Sequence, residues 1–335
     1  MDTLAAGTQF GPYTIEGYIA GGGMGQVYAG RNTVYGSPVA LKILHDKYRS
    51  DEGWRLRFHL EGVIGQQLKH PNIISARELV EQDDKVAVVM DLVRGCQTLD
   101  QVLHREFPEG LPPAHALRVL LGLLQGVEYA HERNVVHGDL KPENILLQGE
   151  FSKPDSWECR ITDFGTVGLI AHPVIIDGRT AVVATPRYAS PEHLYGVDHL
   201  EPRSDVYSLG LILHFLLTAQ HASTARSVRE AAERVTQPLP LVNLVDQPDT
   251  VISLFQTATG VHPDHRFATC RDFALAVREV LEGMGEALQL EDLSADLATE
   301  VMDDRVEMKK ELAAKRGGPR GAREAEAAAA GSEQK

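Results

Sequence analysis

The sequence predicts an α+β protein with a small, strand-rich N-terminal lobe and a larger, helical C-terminal lobe. Short apolar runs separated by glycine and proline fill about the first 80 residues after Gly11, as in an antiparallel meander. Beyond Gly95, apolar residues recur at three- and four-residue spacing, which is typical of helices packed on one face. With 335 residues, the chain is long enough to bury both cores without disulfides.

The individual elements follow from the same patterns. Strands are predicted at residues 13–15, 27–29, 39–43, 73–79 and 85–93. Helices are predicted at residues 51–69, 114–131, 204–219, 250–259 and 270–283. Residues 149–158 are expected to form a surface hairpin, and the small, polar residues 1–11 a loose lead-in.

Composition excludes several classes of protein. Lys and Arg number 33 against 47 Asp and Glu, so the net charge is −14, which makes nucleic acid an unfavourable partner. The three widely spaced cysteines form neither a disulfide framework nor a zinc motif, and they favour a reducing, cytoplasmic location. No apolar run approaches the ~18 residues of a membrane span, and no secretory signal is visible.

The C-terminal residues differ from the rest of the chain. Residues 284–312 carry nine acidic and three basic side chains, with Leu290, Leu293, Leu297 and Val301 at helical spacing. We expect an acidic amphipathic helix there, able to bind a partner protein. Residues 313–335 contain almost no large apolar side chain and are expected to be disordered.

A run of glycines separates the first two predicted strands. Without a Cβ, the backbone of residues 21–23 and of Gly25 can approach phosphates closely and offer its N–H groups, although a flexible hairpin explains the glycines alone equally well. No Gly-Lys-Ser/Thr follows, which excludes a Walker loop. A strand rather than a helix comes next, which excludes a dinucleotide fingerprint.

Charged residues in otherwise apolar surroundings mark a candidate site. Lys42 lies in an apolar strand, where its ammonium group must reach water or meet an anion, and Glu61 on the next helix could be that anion. One short polar loop then supplies a base (Asp139), a cation (Lys141) and a metal ligand (Asn144). A second carboxylate, that of Asp163, follows an apolar strand.

Taken in chain order, these motifs resemble those of the eukaryotic-like (Hanks-type) protein kinases. The matching residues are Gly22, Gly25, 39–42, Glu61, 70–73, 137–144, 163–165, 190–192, Asp205 and Arg266. They imply a bilobal protein kinase fold over residues 12–283, with an N-lobe of about 12–92 and a C-lobe of about 93–283. The sequence of the glycine loop is most similar to that of bacterial serine/threonine kinases.

The resemblance implies a role for each matched residue. Lys42, held by Glu61, would pair with the α- and β-phosphates of ATP, Asp139 would orient the attacking hydroxyl, and Lys141 would neutralise the γ-phosphate. Asn144 and Asp163 would hold Mg²⁺, with Mn²⁺ as an alternative. The residues expected to bind the nucleotide are Ile19, Ala20, Gly21, Gly22, Gly23, Met24, Gly25, Gln26, Val27, Ala40, Lys42, Met90, Asp91, Val93 and Leu146.

Other matches imply scaffold roles and the type of acceptor. A lysine two residues after the catalytic aspartate is the serine/threonine pattern, so protein Ser/Thr hydroxyls are the expected acceptors. Thr185 would contact Asp139 and Lys141. Asp205 would hydrogen-bond the backbone of residues 137–139, and Glu192 would pair with Arg266.

Three positions depart from the family pattern. Ala20 stands where the first loop glycine is usual, a change that ATP binding should tolerate. Gly138 replaces the usual arginine, which favours activity independent of activation-segment phosphorylation unless Arg179 or Arg187 supplies the missing cation. Gly65 replaces a bulky apolar residue one turn after Glu61, which predicts a void and a looser helix unless neighbours fill the gap.

Three functions are compatible with these motifs. The leading one is an active serine/threonine protein kinase that also autophosphorylates. The alternatives are a pseudokinase that binds nucleotide as a scaffold, and a small-molecule kinase of the same fold. The intact set of Lys42, Glu61, Asp139, Asn144 and Asp163 favours turnover over a scaffold role.

Overall fold

Six antiparallel strands form the sheet of the N-terminal lobe in the computed structural model. They are β1 (Gln9–Phe10), β2 (Tyr13–Gly21), β3 (Gly25–Asn32), β4 (Pro38–Leu44), β5 (Ala76–Gln82) and β6 (Lys85–Met90), in the spatial order β1-β2-β3-β4-β6-β5. Helix α1 (Glu52–Gln67) connects β4 to β5 and packs against β5 and β6. The structure describes residues 3–164, 175–176, 179–180, 185–195, 200–234 and 238–286.

Alternation along β4 decides which side chains face the site. Val39, Leu41 and Ile43 enter an apolar cluster with Phe10 and Tyr28. Because successive side chains of a strand point to opposite faces, the intervening residues turn the other way. Ala40 and Leu44 accordingly pack with Phe58 of α1 in a second cluster, and Lys42 emerges on that same face.

Helices dominate the C-terminal lobe. They are α2 (Leu99–Glu106), α3 (Pro113–His131), α4 (Pro191–Leu194), α5 (Pro202–Thr218), α6 (Val228–Arg234), α7 (Asp249–Ala258) and α8 (Cys270–Gly283). Strands β7 (Gln97–Thr98), β8 (Ile145–Gln148) and β9 (Glu158–Ile161) form a small sheet, and β10 (Ile175–Ile176) pairs with β11 (Arg179–Thr180). Helices α3 and α5 are buried along most of their length and contact each other. No helix in the described part of the chain combines the length and hydropathy needed to cross a bilayer.

Two predicted boundaries were wrong for identifiable reasons. The strand predicted at 73–79 begins at Ala76, because Ile73 and Ile74 pair instead with Ile161 at the start of the C-terminal lobe. The lead-in predicted for residues 1–11 contains β1, which pairs with β2, and Phe10 is buried in the sheet core. The hairpin at 149–158 is present, since β8 and β9 pair antiparallel on either side of it. Residues 287–312 and 313–335 lie outside the described residues.

The predicted void beside Gly65 is present as a small cavity of about 20 Å³, whose lining includes Ala76 and Phe164. A Cβ added at Gly65 would lie 2.9 Å from the Cβ of Ala76, so the small residue on β5 occupies the room that a bulky residue would need. Gly62 is similar, because a Cβ there would lie 2.6 Å from the side chain of Leu79. At these two glycines α1 approaches β5 closely, and the looser helix stays a prediction.

Substituting Gly65 tests this close approach. We expect Gly65→Ala to destabilise the protein by about 1–3 kcal/mol, because overpacking against the β-carbon of Ala76 outweighs the gain in helix propensity. Urea unfolding of the variant should be compared with that of Gly53→Ala, near the N-terminus of the same helix, where the added Cβ meets only the Asp51 side chain at 3.3 Å. A Gly65→Ala variant as stable as the wild type would show that α1 moves away from β5 at no cost.

A paired arginine and glutamate fix the region before α5. The Nη1 and Nη2 atoms of Arg266 each donate to a Glu192 carboxylate oxygen at 2.8 Å, and the Ser204 hydroxyl donates to the same carboxylate at 2.7 Å. Burial on its own would raise the pKa of Glu192, but these bonds and the Arg266 charge lower the pKa to about 2. The predicted ion pair is therefore present.

This pair makes stability depend on pH in a defined direction. Because the pKa of Glu192 is lower in the folded than in the unfolded chain, its stabilisation is present at neutral pH and is lost as the pH falls from 4.5 towards 2. The contribution at neutral pH is roughly 3 kcal/mol. We expect Glu192→Gln to lower the free energy of unfolding at pH 7. The free energy of unfolding of the variant should also decrease less between neutral and acid pH than that of the wild type, as measured by urea unfolding. Wild-type and variant curves that run parallel from pH 7 to pH 3 would contradict this.

Candidate active site

The turn between β2 and β3 is closed by backbone contacts. The Gly22 N–H donates to the Gly25 carbonyl oxygen at 2.9 Å. A Cβ at Gly25 would lie 2.5 Å from the carbonyl oxygen of Ile43, so the close approach of β4 requires glycine there. Ala20 pairs with Val27 just after a register shift in β2, and its φ is not positive, so the backbone there does not require glycine. This conformation supports the expectation that alanine is tolerated at position 20.

Apolar residues predicted to contact adenine meet in a single cluster beneath this turn. Ala40 and Met90 are buried in it, and partly buried apolar residues pack against them. The four predicted residues in that outer layer are Met24, Val27, Val93 and Leu146. An apolar slot with backbone polar groups at its edge is the usual form of a small-molecule site.

The remaining predicted nucleotide contacts are less uniform. The Asp91 N–H donates to the Ser75 carbonyl oxygen at 3.2 Å, which leaves its own carbonyl oxygen as the group for adenine. The Gln26 side chain accepts a hydrogen bond from the Tyr28 hydroxyl at 2.6 Å, and Gln26 pairs with both Gly21 and Ile43 in the sheet. Ile19 is 46% exposed on β2. Gly21 ends β2, and Gly23 is exposed in the turn.

A buried ammonium group joins the two lobes. Lys42 Nζ lies 2.6 Å from Glu61 Oε1 and 2.9 Å from Asp163 Oδ1. Lys42 comes from β4, Glu61 from α1, and Asp163 from the loop after β9. The backbone of Asp163 is left-handed, with φ 64°, in a conformation that turns the chain sharply there. The structure therefore brings together three residues that the sequence placed far apart.

Charge sharing sets the protonation of this trio. Burial alone would lower the pKa of Lys42, but the Asp163 and Glu61 carboxylates raise that pKa well above its usual range. Burial would raise the pKa of Asp163, and Lys42 outweighs it and lowers the pKa. The pKa of Glu61 is raised by burial and by the Asp163 charge, against the effect of Lys42. Lys42 is therefore charged, and Asp163 is the carboxylate kept ionised.

The polar loop after α3 positions a carboxylate beside two donors. Lys141 Nζ lies 2.6 Å from Asp139 Oδ2, and the Thr185 hydroxyl donates to Asp139 Oδ1 at 2.7 Å. The Thr185 N–H also donates to Asp139 Oδ1, at 3.1 Å, and Lys141 Nζ donates to the Thr185 hydroxyl at 2.9 Å. Asp139, Lys141 and Thr185 thus form one closed polar group, as expected from the sequence.

Asn144 and His137 hold the ends of the same loop. Asn144 Nδ2 donates to the Asp139 carbonyl oxygen at 3.0 Å, which identifies the other end of its amide as the oxygen. His137 Nδ1 accepts from the Asp139 N–H at 3.2 Å, so its proton is on Nε2, which donates to the Thr162 carbonyl oxygen at 3.0 Å. The His137 ring also packs edge-on against Phe164, with ring centroids 4.7 Å apart.

Asp205 anchors the backbone of this loop from within α5. Its carboxylate is fully buried and accepts the N–H groups of His137 and Gly138, each at 2.8 Å. Gly138 has φ 71°, in the left-handed region that favours glycine. Gly138, which departs from the family pattern, therefore adopts this backbone conformation without strain.

Two oxygen donors near the cleft suit a hard divalent cation. The Asp163 carboxylate and the Asn144 amide oxygen are ligands of the kind that such ions prefer. A hydrogen bond from the Thr162 N–H to the Asn144 carbonyl oxygen, 2.9 Å long, ties the two segments together. Glu61 Oε2, beside Lys42, is buried without a hydrogen-bond partner.

Arg57 was missed from the sequence. It lies one turn before Glu61 on α1, and its Nε is buried without a hydrogen-bond partner. Burial lowers the pKa of its guanidinium, whereas the negative charges of Glu61 and Asp139 oppose that shift. The i, i+4 spacing of Arg57 and Glu61 on one helix face was the signal that could have identified it. The cleft thus contains a third cation beside Lys42 and Lys141.

Comparisons with known proteins agree with this geometry. Residues 13–308 match the family model described as the protein kinase domain. The serine/threonine-protein kinase PknF of Mycobacterium tuberculosis is 32% identical over 289 residues, 84% of this chain and 59% of the relative. PrkC of Bacillus subtilis, also named a serine/threonine-protein kinase, is 30% identical over 81% of this chain and 41% of the relative. The chain thus spans less than two thirds of either relative.

Solved structures show the same fold. The crystal structure of the Mycobacterium tuberculosis PknI kinase domain superposes with a TM-score of 0.66 at 26% identity, covering 83% of this chain and 99% of that domain. The family match takes in the glycine turn, the Lys42 trio and the Asp139 loop. The chain therefore belongs to the protein kinase family, among its bacterial serine/threonine-protein kinases.

Proposed function

We propose that this chain transfers the γ-phosphoryl group of ATP to serine or threonine hydroxyls of proteins. The observation that carries the proposal is the pairing of Lys42 with both Glu61 and Asp163, since this pairing joins the two lobes in the arrangement that phosphoryl transfer requires. The closed group of Asp139, Lys141 and Thr185 supports it from the acceptor side.

Each residue has a defined part in the reaction. Lys42 would bind the α- and β-phosphates, and the glycine turn would cover them with backbone N–H groups. Asp139 would orient the acceptor hydroxyl and take its proton as the oxygen bonds to the γ-phosphorus. The bond from that phosphorus to the β-γ bridging oxygen breaks, and ADP leaves. Lys141 would neutralise charge on the transferred group.

Protein kinases use a divalent ion with ATP, and we propose Mg²⁺ here. Asn144 and Asp163 would hold it, and when bound it neutralises the charge that develops on the phosphate oxygens. Both residues supply oxygen, which favours Mg²⁺ or Mn²⁺ over softer metals.

Activity is proposed not to require a phosphate on the activation segment. Gly138 offers no side chain to such a phosphate, and its N–H is occupied by Asp205. Arg57 already places a positive charge within electrostatic reach of Asp139. The side chain of Arg179, one candidate anchor for a phosphate, lies outside the described residues. The Arg187 charge acts on Tyr188 and His221, on the substrate side.

Acceptor sites are proposed to carry basic residues nearby. Glu143 is exposed next to the Asp139 loop, and the negative charges of Glu143 and Asp100 act on both Tyr188 and His221. Tyr188 follows Thr185 in the segment that would receive the peptide, and its hydroxyl lies 2.8 Å from His221 Nδ1. The net charge of −14 also favours acceptor sites with basic residues nearby.

Removing the Asp163 carboxylate tests the assigned chemistry. We expect Asp163→Asn to reduce phosphoryl transfer to a protein acceptor by about a thousandfold or more, because the groups at this site act as one unit. The matched control is Asp155→Asn, an exposed aspartate in the turn between β8 and β9, which should retain full activity. Near-normal transfer by Asp163→Asn would refute the proposal, and absence of transfer by the wild type with Mg²⁺ would favour the pseudokinase alternative.

The Thr185 hydroxyl offers a finer test. Thr185→Val removes the bonds to Asp139 and Lys141, and hydrogen bonds to charged groups contribute about 1.5–3 kcal/mol each. We expect kcat to fall at least tenfold with little change in KM for ATP, whereas Thr185→Ser keeps the hydroxyl and should stay within about threefold of the wild type. Equal activity in the Val and Ser variants would show that the hydroxyl does not position Asp139.

A further inference from the structure

Three potential metal ligands meet where α3 packs against the start of α8. They are a carboxylate oxygen of Glu128, a ring nitrogen of His131 and Sγ of Cys270, and all three atoms lie within 4.8 Å of one another. Cys270 is fully buried, and the His131 side chain is 6% exposed. No zinc motif is visible in the sequence because Cys270 follows His131 by more than a hundred residues, and only packing brings them together.

The separation of the soft ligands suits tetrahedral coordination. Cys270 Sγ and His131 Nδ1 are 3.8 Å apart. A tetrahedral zinc ion with its usual bond lengths to sulfur and nitrogen separates two such ligands by about 3.5 Å. A shift of a few tenths of an ångström would therefore place both atoms in the first coordination shell.

Asp205 orients the histidine for this role. His131 Nε2 lies 2.8 Å from Asp205 Oδ2, so the ring donates its proton there and directs the lone pair of Nδ1 towards the thiol. A histidine that ligates a metal almost always donates its other N–H to a carboxylate or carbonyl, which fixes the ring. This supporting bond is in place without any metal.

Glu128 completes a mixed donor set. Its Oε2 accepts the Arg271 N–H at 3.0 Å in the first turn of α8, which holds the carboxylate beside Cys270. One thiolate, one imidazole and one carboxylate favour a borderline ion such as Zn²⁺ over Mg²⁺. Glu128 is only partly buried, so a fourth ligand can come from water.

We propose that Glu128, His131 and Cys270 bind one zinc ion, separate from the nucleotide-dependent metal site. On binding, the Cys270 thiol loses its proton to solvent, a sulfur–metal bond forms, and Glu128 and His131 Nδ1 supply two further bonds. The site shares Asp205 with the Asp139 loop, because Asp205 Oδ2 accepts from both His131 Nε2 and the His137 N–H, and Oδ1 accepts the Gly138 N–H.

Cobalt provides a probe that reports the thiolate directly. The full chain is stripped with a chelator and titrated with Co²⁺ in the absence of nucleotide, and the thiolate-to-cobalt charge-transfer absorption is followed. We expect this absorption to saturate at one equivalent of Co²⁺. It should disappear when Zn²⁺ is added, because Zn²⁺ binds a site with a thiolate ligand at least as tightly as Co²⁺ and displaces it. Hard-oxygen sites at Asn144 and Asp163 give no such signal.

Variants separate this site from the other cysteines. Cys270→Ser should abolish the absorption, and Cys159→Ser, which alters a buried cysteine on β9, should leave it intact. Glu128→Gln keeps an acceptor for the Arg271 N–H but loses the charge, and should weaken Co²⁺ binding at least tenfold. Circular dichroism of each variant checks the fold. No thiolate absorption in the wild type, or equal absorption in Cys270→Ser, would overturn the proposal, as would unchanged affinity in Glu128→Gln.

Discussion

The single positive charge of Lys42 is shared by two carboxylates that come from different parts of the chain. Glu61 fixes the position of α1, and Asp163 fixes the loop that follows β9. Because Lys42 is buried on β4, leaving it unpaired would cost several kcal/mol, so the sheet, the helix and the loop are constrained to one arrangement. Helix α1 also packs against β5, where Gly65 lies close to Ala76.

A second buried charge organises the other side of the cleft. Asp205 lies within the helical core and fixes the backbone that leads into Asp139. Its third partner, His131, connects that backbone to α8 through Cys270. The Asp139 loop is thus held by a carboxylate that also supports the inferred zinc ligands. Rigid helices, rather than the loop itself, set the geometry of the acceptor side.

Residues whose role depends on local chemistry could be predicted from the sequence. Lys42 and Glu61 stood out as charges in apolar segments, and Asp139, Lys141 and Asn144 stood out as a polar loop between apolar runs. Contacts that depend on register could not be predicted. Nothing in the sequence shows that Ala76 faces Gly65, or that Ile73 and Ile74 leave the sheet to pair with Ile161. The Cys270 cluster was missed because its members are brought together only by packing, whereas the spacing of Arg57 and Glu61 on one helix could have identified Arg57.

The most direct test of the shared lysine is thermal stability in the presence of ATP. ATP alone would bring its phosphate charge close to the Asp163 carboxylate, whereas ATP with Mg²⁺ would remove that repulsion and engage Lys42 and Asp163 together. Because a ligand that binds the folded state more tightly stabilises it more, ATP with Mg²⁺ should raise the melting temperature clearly more than ATP with a chelator. In Asp163→Asn this difference should vanish. Equal shifts in the wild type with and without Mg²⁺ would contradict the account.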